Sequence, residues 1–484
     1  MNTLPAYEMI IGLETHAALQ TAQKAFCSCE NRFGATPNTL CCPLCAGMPQ
    51  QKPRLNPEAL RLSLLAGLAL HCQIQTQSQF DRKHYHSPDL PKGYQCTQFF
   101  QPLCLGGYLD IEIDSEIKHI PIRRIHLEED AGRMFSPSPG KTAVDLNRAG
   151  VPLIEIVTEP VLRSGEEAVA YLRALRTALS FAGVSDCKMS EGSLRCDVNI
   201  SLRKPGESPG VRTELKNLAS FRDVERAIAA EYARQAALLA AGQPIAQETR
   251  RFDDKTGLTY FSRPKENEAD YRYTPDSDLP PILLTAAEIE ALRQALPPSS
   301  EAWRNSFIEN ERLSDYAARQ LAAAPWLAAY YQQMAKASRF PVAAANLLLG
   351  EVLARLSLQD SRPALEKNPD CLPVSPRHLA RLSDMLAEER INSTMMKEIL
   401  SALLLHDTDP EAYAQAHGLW IITEDALLLQ AIQKTLAESP SLLHAYHAGK
   451  TNVLTALMGK SMAQTGGKAH PQKLRQFLLS ELEK

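Results

Sequence analysis

Acidic and imidazole side chains recur in the first half of this chain inside segments that otherwise read as β-strand. In Ile11-Gly12-Leu13-Glu14-Thr15-His16, Glu14 and His16 share a face, about 6.5–7 Å apart along an extended backbone. Leu194 to Leu202 alternates without a fault, with even positions apolar, so Arg195, Asp197 and Asn199 share the other face. Leu153-Ile154-Glu155-Ile156-Val157 sets a carboxylate in an apolar run, and Glu128, Glu129 and Glu159 add further acids on strand-like segments. Burying a carboxylate in such a run is costly unless something positive compensates it. Taken singly, each residue reads better as a salt-bridged or exposed group. Their joint occurrence points elsewhere, because magnesium takes oxygen ligands and commonly bridges carboxylates to nucleotide phosphates. Basic residues able to neutralise phosphate are interleaved: Arg82, Lys83, Lys92, Lys188, Arg195, Lys216, Arg250 and Arg251. Neither Gly-x-x-x-x-Gly-Lys-Ser/Thr nor Gly-x-Gly-x-x-Gly occurs, which disfavours P-loop and Rossmann binding.

A second constellation is softer. Cys27-x-Cys29 and Cys42-Pro-Leu-Cys45 form two short chelating pairs, and four thiolates meet the tetrahedral preference of zinc. Such a site has no open position, so its role would be structural. The plainer alternative is a set of buried thiols that happen to be neighbours. Cys41 is left over.

The elements that must position these groups are legible in part. Asn56-Pro57 opens a helix with Leu60, Leu64 and Leu68 on one face. Ser164 and Glu167 predict a capping box for a helix striped by Leu172, Leu175 and Leu179 and stopped by Gly183. A third helix is predicted from about Val224 to Ala241, ending at Gly242-Gln243-Pro244. Strands with a polar face and no regular following helix indicate an α+β domain whose sheet floors an open cleft. Near residue 295 the pattern turns helical, with stretches expected at 315–334, 342–356, 376–390 and 391–405, and a last helical unit from about Thr423. The division this predicts is 1–294, 295–410 and 411–484. The tail is punctuated by Gly449-Lys450, Gly459-Lys460 and Gly466-Gly467-Lys468. These read as ordinary helix C-caps with solvated lysines, or as amides and cations offered to RNA phosphates.

Composition narrows the class. Of 484 residues, 44% are hydrophobic and 22% charged, which suits a globular protein of several domains. A net charge of −4 means that any nucleic-acid contact must be local. The N-terminal residues do not read as a signal peptide, and the longest greasy run, Leu62 to Leu70, is too short to span a bilayer. A cytoplasmic protein without a membrane partner is expected, with clustered cysteines serving a metal in a reducing compartment.

Longer blocks then become recognisable. Phe80-Asp81-Arg82-Lys83, Pro88 to Gln95, His126 to Gly132, Asp145 to Val157, Glu191 to Asn199, Glu214 to Leu218 and Asp270-Tyr271-Arg272-Tyr273 resemble the B subunits of the bacterial aspartyl/glutamyl-tRNA amidotransferases, over essentially the whole chain. The resemblance implies a cradle domain of the glutamine-synthetase type with an antiparallel sheet, a helical domain, and a tail domain that contacts tRNA. It implies that ATP phosphorylates the side-chain carboxylate of glutamate on tRNA(Gln), or of aspartate on tRNA(Asn), and that ammonia displaces the phosphate. It assigns Glu14, His16, Glu129, Glu155 and Asp197 to magnesium (Mg2+) and Cys27, Cys29, Cys42 and Cys45 to zinc (Zn2+). The basic residues expected at nucleotide or substrate are Lys83, Lys92, Lys188, Arg195 and Lys216, and those at tRNA are Lys450, Lys460 and Lys468.

An acyl phosphate is a far better electrophile than a carboxylate, and forming it requires metal and cations around the moving charge. Gly-x-Ser-x-Gly is absent. The family accordingly draws its ammonia from an amidase-type glutaminase partner, its A subunit, and has a small third partner, its C subunit. Thr15, His84, His86, Ser87, Thr274 and Ser277 depart from the family's usual wording, and none of them is an expected ligand. Two rival readings are a stand-alone carboxylate–amine ligase acting on a small molecule and a non-enzymatic tRNA-binding protein. Conversion of Glu-tRNA(Gln) to Gln-tRNA with partner chains, glutamine and ATP separates all three.

Overall fold

The computed structural model describes residues 7–138, 140–266, 268–358 and 372–483. The chain divides into two compact units, Met1–Ser300 and Glu301–Lys484.

In the first unit the alternating segments form strands β1 (Glu8–Ala18), β2 (Gln73–Ile74), β3 (Gln77–His84), β4 (Tyr94–Gln101), β5 (Cys104–Leu105), β6 (Tyr108–Ile113), β7 (Glu116–Glu129) and β8 (Arg133–Ser138). They continue as β9 (Lys141–Asp145), β10 (Pro152–Thr158), β11 (Leu194–Arg203), β12 (Thr213–Lys216), β13 (Glu248–Asp253), β14 (Leu258–Pro264), β15 (Thr274–Pro275) and β16 (Ile282–Leu283). A 10-stranded sheet runs β14-β13-β12-β11-β1-β10-β7-β5-β2, with β6 paired to β7. Its pairs are antiparallel except β12 with β13, which are parallel. The sheet is therefore mixed rather than wholly antiparallel, within the expected α+β class.

Register gives each strand of the centre one apolar and one polar face. Leu13, Leu127, Ile154, Ile156 and Val198 join a single core with Leu172, Leu175 and Leu179 of α2 (Gly165–Phe181) and Val224, Ala227 and Ile228 of α3 (Phe221–Ala240). Leu62, Leu65 and Leu68 of α1 (Pro57–Ala69) enter the same core. Helices thus cover one face and leave the polar face open.

The helix ends follow local chemistry. Asn56 accepts from the Glu58 amide and Ser220 from the Asp223 amide. Ser164 accepts from the Glu167 amide, but the Glu167 carboxylate turns to the Arg163 amide at 2.7 Å and to Lys118, so only half of the expected capping box forms. A full box appears at Thr285 and Glu288.

In the second unit the stretch expected at 315–334 is two helices, Asp315–Leu321 and Pro325–Ala337. Pro325 cannot continue a preceding helix and disfavours helical backbone at Ala324, so the chain breaks there. The stretch expected at 342–356 is helical but carries a π-helical turn, Leu348–Val352, between Pro341–Leu347 and Leu353–Leu358, and Pro376–Ala387 and Ser393–Leu403 match the stretches expected at 376–390 and 391–405. Farther on, Leu428, Ile432, Leu457, Leu474, Leu478 and Leu482 form a separate small core. Among the described residues no helix is long and apolar enough to cross a membrane.

Candidate active site

Adjacent strands bring the acids and imidazoles into one row. His16 of β1 lies opposite Glu155 of β10, and Glu155 lies opposite His126 of β7. Glu14 lies opposite Asp197 of β11, and Glu128 follows His126 by two residues, so all six side chains share the open face. His16 Nε2 is 3.4 Å from a Glu128 oxygen and 3.3 Å from a Glu155 oxygen; His126 Nε2 is 3.6 Å from each. Two donor sets, Glu14–His16–Glu155 and His126–Glu128–Glu155, each gather ligand atoms within 4.8 Å and share Glu155.

The electrostatics show what the hollow favours. The neighbouring Glu155 charge, together with burial, raises Glu14 to about 7. Burial opposes charging of His16, yet its hydrogen bond to Glu155 and the charges of Glu155, Glu128 and Glu14 raise it to about 9. Burial likewise opposes ionisation of Glu155 and Glu128, but His126 and His16 hold both below the usual carboxylate range, helped at Glu155 by Lys83. The acids thus favour positive charge among them, which His16 supplies as a proton and which a divalent ion would supply instead, with His16 neutral as it ligates. An oxygen-rich hollow that holds a cation of its own making fits a divalent ion.

This row borders a cavity of about 770 Å³. Lys83, Arg124, Arg212, Lys216 and Lys265 supply positive charge to its lining, and Phe99, Tyr271 and Tyr273 supply an aromatic wall. Phe99 and Tyr273 stack at 3.9 Å. The Arg124 Nε is buried with no hydrogen-bond partner among the described residues. Lys216 pairs with Asp197, and Lys265 donates to Asn199 at 2.7 Å and to Glu214 at 3.3 Å.

The expected residues do not all converge. Glu129 corrects the sequence reading of placement. Consecutive residues of a strand point to opposite sides. Its carboxylate leaves the row, accepting from the Cys96 amide at 2.9 Å and pairing with Lys92. Glu128 takes its place in the row. Among the five cations expected at the nucleotide, Lys83 and Lys216 line the cavity, whereas three are engaged elsewhere. Lys92 pairs with Glu129, Arg195 with Asp130 at 2.6 Å, and Lys188 with Asp186 and Glu191 at 3.6 and 3.7 Å. Glu159 pairs with Arg123 at 2.8 Å. His126, Arg124, Arg212 and Lys265 were missed; the alternation Arg124-x-His126-x-Glu128 was the signal that could have found two of them.

The cysteines do converge. Cys27, Cys29, Cys42 and Cys45 place their sulfurs within 4.8 Å of one another. Cys45 Sγ is 3.4 Å from Cys27, 3.7 Å from Cys42 and 3.8 Å from Cys29. A zinc–sulfur bond of about 2.3 Å implies tetrahedral edges of about 3.8 Å, so the four thiols fit that ion. Cys41 turns away, to the Asn38 carbonyl. In the tail, Lys468 donates to the Gly418 carbonyl at 2.7 Å, Lys460 to Ser439 at 2.9 Å, and Lys450 is exposed.

Residues 9–290 match the family model described as the GatB/GatE catalytic domain, and residues 329–482 match the one described as the GatB domain. The polar-faced sheet with its acidic row is thus the catalytic domain of an amidotransferase, a ligase. The B subunit of the aspartyl/glutamyl-tRNA(Asn/Gln) amidotransferase from Caldicellulosiruptor saccharolyticus is 43% identical over 480 residues, 99% of each chain. Its counterpart in Oleidesulfovibrio alaskensis is 42% identical over 478 residues, 98% of this chain and 99% of its own. That of Thermoanaerobacter pseudethanolicus is 42% identical over 479 residues, 99% and 100%. The chain belongs to the family of aspartyl/glutamyl-tRNA(Asn/Gln) amidotransferase B subunits.

Proposed function

We propose that this chain activates the side-chain carboxylate of glutamate on tRNA(Gln), or of aspartate on tRNA(Asn), for conversion to the amide. The carboxylate oxygen attacks the terminal phosphorus of ATP, ADP leaves, and ammonia then attacks the acyl carbon and expels phosphate. The observation that carries this reading is the row Glu14–His16–Glu128–Glu155 beside a cavity lined with cations.

Glu14, His16, Glu155 and Glu128 would hold magnesium, with His126 in contact and Asp197 alongside. The ion would neutralise phosphate charge and orient the terminal phosphoryl group. Lys83, Arg124, Lys216 and Lys265 face the same space and stabilise charge on the phosphoryl oxygens as it moves. An activated acyl group must be kept from water, and Phe99, Tyr271 and Tyr273 would supply the apolar side of the cavity for this. Cys27, Cys29, Cys42 and Cys45 would hold a structural zinc. Ammonia comes from an amidase-type glutaminase partner, the A subunit, and a small third partner, the C subunit, completes the assembly in the cytoplasm. Residues 1–294 act as the cradle, 295–410 as a helical domain, and 411–484 as a tail that supplies affinity for tRNA.

The two rivals have less support. A small-molecule ligase does not need the tail, and a purely binding protein leaves the acidic row without a task. The deciding experiment incubates Glu-tRNA(Gln) or Asp-tRNA(Asn) with the assembled heterotrimer, glutamine, ATP and magnesium. Amide formed on tRNA, and lost in Glu155→Gln with the fold intact, is expected. Undiminished product from that variant would dismiss the site.

A further inference from the structure

Lys24 is fully buried, at 0% exposure. None of the described carboxylates forms an ion pair with it. Its Nζ lies 3.5 Å from Cys45 Sγ and 3.2 Å from the Leu146 carbonyl oxygen. An enclosed ammonium is expensive to keep without a compensating anion. Lys92 has one in Glu129; among the described residues the Lys24 amine meets a sulfur and a carbonyl instead. Lys24 does not line the cavity, so the amidation chemistry gives it no task. Four neutral thiols do not supply the missing negative charge, whereas four thiolates around a divalent ion carry a net charge of about −2.

The backbone binds the same parts together. The Lys24 amide donates to the Cys29 carbonyl at 3.0 Å, and the Ala25 amide donates to the Gly150 carbonyl at 2.8 Å. A Cβ at Gly150 would lie 3.6 Å from Lys24 Cδ and 3.9 Å from a Glu129 oxygen, so the lysine stem runs past the end of β7. Glu129 closes that strand, and Glu128 just before it faces the acidic row. We infer that Lys24 is a positioning residue: it is the charge partner of a metal held by the four cysteines and ties that centre to the strand end that presents Glu128. This rests on the zinc reading above.

The test uses the full-length chain, loaded with zinc or stripped by a chelator, as wild type, Lys24→Met and Lys24→Arg. Zinc affinity is read by competition with a chromophoric chelator, and thermal midpoints are recorded for both states. Lys24→Met is expected to weaken zinc about 10–100-fold, the range typical of groups supporting a metal ligand, and to shrink the thermal gain from loading. Lys24→Arg, which keeps the cation, is expected to retain most of both. Unchanged affinity in Lys24→Met, or equal destabilisation of loaded and stripped chain, would overturn the role. Wild type without one tightly bound zinc would instead remove the metal reading itself, and the inference with it. Should both variants fail to fold, amine labelling of wild type decides: stripping zinc should expose Lys24 to the reagent while Lys92 stays protected, and equal protection of Lys24 in both states would refute the inference.

Discussion

Glu128 and Glu129 are adjacent in sequence and separated in task by the strand that holds them. Glu128 meets His16 and His126; Glu129 meets Lys92 and the Cys96 amide. Glu128→Gln should lower the amidation rate about 10²–10³-fold, the loss typical of a charge-stabilising group, and raise the magnesium concentration needed. Glu129→Gln should instead lower the thermal midpoint, because Lys92 loses its anion in a buried setting, with a smaller change in magnesium requirement. Kinetics and thermal unfolding on both variants check this; equal magnesium dependence would erase the distinction. The sequence showed that acids crowd the stretch from His126 to Asp130, yet which of two consecutive glutamates faces the site depends on where β7 begins its pleat. Glu214 supports a pH prediction. Burial pushes it up, but Lys216, Lys265 and the Thr249 hydroxyl outweigh burial and hold it at about 2, below the usual 4.5. Its contribution to stability is therefore complete above pH 4.5 and is lost as pH falls from there toward 2. Glu214→Gln should flatten the acid limb of the stability curve in that window, measured by urea unfolding at a series of pH values.

At the scale of elements, the sheet was legible where one face is apolar and the other polar. Leu194–Arg203 shows this best, since its alternation also fixed which side Asp197 takes. The parallel pairing of β12 with β13 was not legible, because it depends on how the chain returns after α3 rather than on the pattern of either strand. Close approaches were equally hidden. Gly67 lies within α1, and a Cβ there would meet Cys104 Sγ at 2.5 Å and Ile74 Cδ1 at 2.8 Å, where β5 and β2 press on the helix. Gly67→Ala should therefore destabilise the first unit by about 1–3 kcal/mol through overpacking, although alanine is the better helix former. Chemical denaturation would read this directly, and a stabilised variant would show that the strands can retreat. Two departures from the family wording meet in space: His84 Nε2 and Thr274 Oγ1 lie 3.0 Å apart where β15 pairs with β3.

For the molecule as a whole, near-neutral net charge makes the distribution of free cations decisive. The first unit directs its lysines and arginines mainly at its own acids, in the row and beneath it. In the tail the three glycine-linked lysines looked equivalent in sequence and differ in the fold. Lys468 and Lys460 each donate to a carbonyl or hydroxyl of the same unit, while Lys450, after a glycine with φ of 88°, has no side-chain partner among the described residues. Phosphate contacts made by an exposed lysine weaken with salt, and losing one reduces the salt slope of binding by about 1. Lys450→Ala should therefore weaken tRNA binding with a shallower salt dependence, leaving the thermal midpoint unchanged. Lys468→Ala should leave the salt slope unchanged and lower that midpoint little, because the exposed Gly418 carbonyl takes water in place of its lost donor. Filter binding of tRNA over a range of salt, alongside thermal unfolding of each variant, distinguishes the two roles. An unaltered salt slope in Lys450→Ala would mean that this end of the tail is not where the RNA backbone lies, and that the affinity of the assembly comes from another surface.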